Sequence, residues 1–200
     1  MTSNAIEVKS IAVIGAGMMG RAIAYSAALS GYEVVLEDVS RGRLQEAIVW
    51  IRQMLEEALR QGKIAGSTRD AALKNLSTAT TVEEALPKAD LILETLPEEM
   101  EMKIELFTIF DKFAKSAAIL ASSTASLSIT ALAEVTFCAE RCIGMRLSAP
   151  GQESSVLELV RGKETSDAAV AACTEVGRRM GKQVVVVHEP GREAFAGVSG

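Results

Sequence analysis

The chain has 200 residues, 48% of them hydrophobic, 4% aromatic and 24% charged, with a net charge of −5, a pI near 5.1 and a mean hydropathy of +0.22. That length suits one domain with an aliphatic, Ala-rich core. An acidic balance without a basic stripe argues against a nucleic-acid partner. No apolar run approaches the ~18 residues of a membrane span, and MTSNAIEVKS does not read as a signal peptide. The three cysteines, Cys138, Cys142 and Cys173, form an odd set and read as reduced, buried thiols of a cytoplasmic protein. Cys138 and Cys142 lie four apart, but the chain has a single His, so no metal site is expected.

Strand and helix signals alternate from end to end, which predicts an α/β fold with a mainly parallel sheet. Ile11–Ile14 is a short apolar run, followed by a glycine turn and a helical stretch from Arg21 to Leu29. Gly31 closes that stretch, and Val34–Leu36 leads to Glu37 and Asp38. Arg41–Gln61 reads as a long helix, with Leu44, Ile48, Ile51 and Leu55 at helical spacing and Gly62 as its stop. A second helical piece starting between Asp70 and Leu73 would complete an inserted hairpin. Trp50, within it, reads as packing rather than a ligand platform.

Leu76–Ala79 is a weak strand, and Thr81–Leu86 a short helix capped by Thr81 with Glu83 and Glu84 near its positive end. Ala89–Glu94 is the next strand. Pro97, Glu98 and Glu99 then open a helix carrying Ile104, Phe107, Phe110 and Phe113. Ala118–Ala121 reads as strand, Ser128–Val135 as helix and Cys142–Met145 as strand. Val156–Val160 and Val184–Val187 are further strands, flanking a helix over Ser166–Met180. The chain carries no repeat and no low-complexity linker.

The chemistry-bearing motif is Gly15-Ala16-Gly17-Met18-Met19-Gly20 between strand and helix. Gly15 permits the tight turn, Gly17 lets the backbone approach a pyrophosphate, and Gly20 lets helix and strand pack closely. The helix start offers free N–H groups and a positive dipole end to phosphates. Asp38, about 20 residues on, suits ribose hydroxyls and would repel a 2′-phosphate, so NAD is favoured over NADP. A glycine-rich turn that binds nothing is the bland alternative. The preceding strand, following helix and terminal acid together count against it.

GAGMMG (15–20), ADLILETLPEEMEMK (89–103), ILASSTASLSIT (119–130), RCIGM (141–145), VLELV (156–160) and HEPG (188–191) resemble the N-terminal, NAD-binding domain of 3-hydroxyacyl-CoA dehydrogenases. The resemblance implies a Rossmann-type, doubly wound sheet with a protruding helical hairpin, spanning residues 1–200 as a single dinucleotide-binding domain. It also implies an oxidoreductase setting in fatty acid metabolism. The family's following helical domain of about 100 residues is expected to be missing. The apolar surface left behind implies a homodimer or docking to another protein.

By the same resemblance, Gly15, Gly17, Met18, Met19, Gly20 and Asp38 match the cofactor site. Glu98 and Lys103 match an acid and a lysine beside the nicotinamide half of NAD. As bare sequence they would pass for a solvated pair on an acidic helix. The substrate side departs from the pattern. The family's Ser-Asn-Thr-Ser-Ser is Ser122-Ser123-Thr124-Ala125-Ser126, which removes the hydroxyl that holds the substrate oxygen. Its His-Phe-Phe-Asn-Pro is Arg146-Leu147-Ser148-Ala149-Pro150. Arginine stays protonated and cannot act as the general base. Glu158, matching the acid that orients the family His, is retained and can pair with Arg146. A further family Asn falls at Phe195, and His188 is no evident substitute base.

Three readings follow. One is an NAD-binding but catalytically degenerate module that senses NAD(H) or docks a partner. Another is an active oxidoreductase on a 3-hydroxyacyl-CoA or a smaller hydroxy acid, with Arg146, steadied by Glu158, clamping a carboxylate. Met54 and Gln61, where the family contacts CoA, weaken the acyl-CoA case. The third is a fragment of a longer protein.

Overall fold

The computed structural model describes residues 6–147 and 156–189. The chain begins with β1 (Ser10–Ile14), α1 (Met18–Leu29), β2 (Glu33–Glu37), α2 (Arg41–Arg60), α3 (Gly66–Lys74), β3 (Leu76–Ala79), α4 (Val82–Ala85) and β4 (Leu91–Glu94). It continues with α5 (Met100–Phe113), β5 (Ile119–Ser122), α6 (Ile129–Ala133), β6 (Cys142–Leu147), β7 (Val156–Arg161), α7 (Asp167–Arg179) and β8 (Gln183–His188). The strands form one sheet of eight in the order β3-β2-β1-β4-β5-β6-β7-β8. Every pairing is parallel except β6 with β7. The expected Rossmann-type sheet is therefore present.

The central strands are apolar on both faces because helices cover both. Ile11, Val13, Leu36, Leu91, Leu93 and Ile143 belong to a core under α1 and α7, which reaches Leu44, Ile51 and Leu55 of α2. Ala12, Ile14, Ile92 and Leu120 belong to a second core with Phe107 and Phe110 of α5 and Leu132 of α6. Phe107 and Phe110 are fully buried, with ring centroids 5.5 Å apart.

Local capping matches the sequence at several helix starts. Ser40, Thr81, Ser128 and Ser166 each accept an N–H from three residues on, satisfying donors the helix leaves free. Gly31, Gly62 and Gly181 have positive φ just after their helices, the left-handed stop that glycine adopts at low cost.

Several features differ from the sequence reading, and helix α1 starts at Met18 rather than at Arg21. Helix α3 starts at Gly66, before Asp70, its first turn closed by the Arg69 N–H donating to the Ala65 carbonyl at 3.1 Å, and Arg69 also pairs across the hairpin with Glu56 of α2. Helix α5 starts at Met100 rather than at Pro97, because Glu99 is extended (φ −122°, ψ 115°) and stands as its N-cap. A 3₁₀ turn at Ala139–Arg141, unforeseen in the sequence, separates α6 from β6. Trp50 packs edge-on to Tyr25 of α1 at 6.1 Å and under Arg21 at 4.9 Å, so it joins the hairpin to the body. All three cysteines are buried free thiols.

Because Phe107 fills the centre of the second core, Phe107→Ala is expected to lower the unfolding free energy by about 3–5 kcal/mol. Urea denaturation measures this.

Candidate functional site

The strand order reverses direction around β1, and the C-terminal ends of β1, β2, β4 and β5 surround that switch point. Open α/β sheets bind their ligands in such crevices. The glycine turn fills the gap between β1 and α1 and hangs from the end of β2. Gly15 N–H donates to the Glu37 carbonyl at 2.8 Å, and Ala16 N–H donates to Asp38 Oδ2 at 3.0 Å. Asp38 Oδ1 takes Ser40 N–H at 2.8 Å. The Asp38 carboxylate is thus fixed at the strand end, 5% exposed.

The glycines differ in what requires them. Gly15 has φ +99°, and a Cβ on Gly20 would lie 1.8 Å from the Gly15 carbonyl oxygen. A Cβ on Gly17 would meet nothing within 4 Å, so its bare backbone faces open space. Gly17 caps α1 without a side-chain hydrogen bond, leaving first-turn N–H groups available to an anion. Met18 is exposed and Met19 half-buried at this helix start. Thr95 ties the end of β4 to the turn, its hydroxyl donating to Ile14 O or Gly15 O at 3.1 Å.

Lys103 and Glu98 behave differently from a solvated pair, and they are not partnered with each other by a hydrogen bond. Lys103 is fully buried. Its Nζ donates to Glu94 Oε1 at 2.7 Å, Oε2 at 2.8 Å and Leu96 O at 3.1 Å. The Ser122 hydroxyl also donates to Glu94, and Leu96 N–H donates to it at 2.9 Å. The result is a closed, fully satisfied cluster beneath the crevice. The apolar run ADLILE gave no sign that Glu94 would be its centre.

Glu98 instead holds the loop after β5. Its Oε1 accepts from Thr124 Oγ1 at 2.5 Å, Ala125 N at 2.8 Å, Ser126 N at 2.8 Å and Ser126 Oγ at 3.0 Å. Burial pulls this carboxyl upward, but the hydrogen bonds from Thr124 and Ser126, with the Lys103 charge, outweigh it and hold it below the usual carboxylate range.

Arg146 and Glu158 are register partners across β6 and β7. Arg146 Nη1 donates to Glu158 Oε2 at 3.1 Å, and its Nε donates to Thr124 O at 2.6 Å. This guanidinium therefore stitches β6, β7 and the Thr124–Ser126 loop together. Ala125 lies on that loop, contributing a backbone N–H and no hydroxyl. Ala149 and Phe195 lie outside the described residues. His188 ends the edge strand β8 in register with Arg161, away from this crevice.

Residues 10–190 match the family 3-hydroxyacyl-CoA dehydrogenase, NAD binding domain. The chain belongs to this family. It is 38% identical over 182 residues to a 3-hydroxybutyryl-CoA dehydrogenase of Bradyrhizobium diazoefficiens, covering 91% of this chain and 62% of that relative. It is 35% identical over 183 residues to 3-hydroxyadipyl-CoA dehydrogenase of Escherichia coli, covering 92% of this chain and 38% of the relative. The crystal structure of (S)-3-hydroxybutyryl-CoA dehydrogenase from Ralstonia eutropha superposes with a TM-score of 0.86 at 30% identity, over 92% of this chain and 65% of that one. The chain thus spans less than two thirds of the length of these relatives.

The family's cofactor is NAD, and the described residues fit it. The turn is open at Gly17, the start of α1 carries unclaimed N–H groups, and Asp38 stands at the end of β2. NAD supplies hydride transfer when bound; the chain supplies the cradle.

Gly20→Ala is expected to destabilise the fold by about 1–3 kcal/mol through overpacking and to weaken NADH binding, read by thermal unfolding and calorimetry. Lys103→Met strands a buried carboxylate and is expected to cost about 3–5 kcal/mol. The double variant Glu94→Leu/Lys103→Met removes both charges and is expected to recover more than half of that loss in chemical denaturation.

Proposed function

We propose that this chain is an NAD(H)-binding module of the 3-hydroxyacyl-CoA dehydrogenase family whose own acyl-oxidising chemistry is impaired. The observation carrying this reading is the state of Arg146. It stands where the family keeps its general base, and two hydrogen bonds to Glu158 and Thr124 commit it to the scaffold. A guanidinium remains protonated at any physiological pH, so it cannot take the proton of a hydroxyacyl group. Losing a positioned base costs roughly 10²–10⁴-fold in rate. Losing a hydroxyl that steadies the reacting oxygen, as at Ala125, costs about 10²–10³-fold when it acts alone. Glu158 then acts as a positioning residue for Arg146. Gly15, Gly17, Met18, Met19, Gly20 and Asp38 form the proposed cofactor contacts. Glu98 and the buried Glu94–Lys103 pair hold the walls on the nicotinamide side.

A second reading rests on exposure. The Arg146 and Glu158 side chains stay 28% and 35% accessible, so the guanidinium has an open edge from which to clamp a substrate carboxylate. In that case the chain is an oxidoreductase acting on a hydroxy acid or an acyl-CoA bearing a second carboxylate. In either reading, self-association or docking of another protein is the expected partner role.

Calorimetric titration with NADH, then acetoacetyl-CoA addition with NADH absorbance followed, tests the first reading. Binding without turnover is expected. Restoring the family side chains in Ala125→Ser/Arg146→His/Ala149→Asn is expected to raise turnover by roughly 10²-fold or more. Turnover by the unaltered chain that Arg146→Ala abolishes would overturn the impairment and favour the second reading.

A further inference from the structure

Glu37 is a carboxyl group in an unusual position. It closes β2 and is 2% exposed. Across the sheet its register partners are Ile14 of β1 and Ala79 of β3, both in the core under α4 and α5. The Glu37 side chain shares that face, and Oε1 has no hydrogen-bond partner among the described residues. The charged groups acting on it are Asp38, next along the chain, and Glu83 of α4. Glu84 of α4 is engaged with Thr80 N–H at 3.3 Å. Beyond Ile14 in the same row, Glu94 is already neutralised by Lys103. Arg43, 4.0 Å from Asp38, is the nearby cation, and its side chain is 69% exposed. Among the described residues, no basic group forms an ion pair with Glu37.

This residue is also where the glycine turn is anchored. The Glu37 carbonyl takes Gly15 N–H, and the adjacent Asp38 takes Ala16 N–H. A charge on the Glu37 side chain would put a second anion beside Asp38, beneath a turn that must receive a pyrophosphate. It would also be a buried charge without a partner, which a fold tolerates poorly. The neutral acid carries neither penalty.

We propose that Glu37 makes dinucleotide binding by this chain proton-linked: the site takes NAD(H) with the Glu37 carboxyl protonated and loses affinity as that carboxyl ionises. Burial, followed by the Asp38 and Glu83 charges, pushes the carboxyl from the ordinary 4.5 up to about 7, so the change falls within the physiological range. The sign is the reverse of a salt-bridged carboxylate. Above the unfolded value the unfolded chain gives up its proton while the folded chain keeps it, so stability falls as pH rises toward 7 and then levels off. Affinity falls on the other side of the same midpoint. The inference rests on NAD binding alone and is independent of whether catalysis is impaired.

NADH titrations between pH 6.5 and 8.5, each in two buffers of different ionisation enthalpy, test it. The intact chain is expected to bind on the order of tenfold more weakly at the upper limit, a single-proton linkage, and to take up about half a proton or more per NADH near pH 8. Glu37→Gln is expected to bind with nearly constant affinity and no uptake. His188→Gln, which removes the chain's single imidazole at the far sheet edge, is expected to keep the pH dependence. Without ligand, Glu37→Gln is expected to raise the melting temperature at pH 8 and leave it nearly unchanged at pH 4.5. Binding of NADH that is flat with pH in the intact chain would overturn the proton linkage. So would a proton uptake that survives Glu37→Gln. Failure to bind NADH at any pH would instead overturn the binding itself.

Discussion

Helix α1 can begin where it does only because residue 20 has no side chain. A Cβ there would lie 1.8 Å from the Gly15 carbonyl oxygen, so any other residue would push the helix off the strand that feeds it. Much of the crevice depends on that contact. It sets the distance between the β1 end and the helix start, which turns unclaimed N–H groups toward the space above Gly17. It also brings the turn under Thr95, whose hydroxyl bonds back to Ile14 or Gly15. Two hydrogen bonds from the turn to residues 37 and 38 complete the suspension. The loop is thus carried by three neighbouring strands.

A second layer of control lies beneath the crevice and is electrostatic. The row Glu37–Ile14–Glu94–Ser122 crosses the sheet at the strand ends. Two of its members are buried acids with opposite solutions. Glu94 is fully satisfied by Lys103, Ser122 and Leu96 N–H, so it acts as a rigid, charge-paired support. Glu37 has no such set, and neutrality is its less costly state. The same chemical group two strands away thus serves either as scaffold or as a titrating site, according to whether a lysine reaches it. Glu98 is a third case: exposed at the rim, it gathers four donors from the Thr124–Ser126 segment.

At the end of β6, the Arg146 guanidinium serves as a tie. Arg146 uses its fork to join two antiparallel strands and the loop that carries Ala125. The Glu158 carboxylate accepts from Arg146 Nη1 at 3.1 Å and so orients that group. A guanidinium is suited to such bracing because its planar fork of donors can bond several acceptors at once.

The sheet, the glycine turn and its acid were legible from the chain because each depends on short-range pattern: apolar runs, a G-x-G-x-x-G spacing, caps three residues apart. Lys103 and Glu98 were found by motif but misread as a solvated pair if taken alone, because sequence distance along a helix does not show which strand lies below it. Glu94, Ser122 and Glu37 carried no signal, since a polar residue ending an apolar strand reads as a boundary. Fold class, the NAD motif and the presence of arginine at position 146 are local properties of residue identity, and the sequence by itself determined them. Which acid is paired and which stands alone was decided only by tertiary structure, because the register of β1, β2, β4 and β5 and the reach of one lysine from α5 set those neighbours.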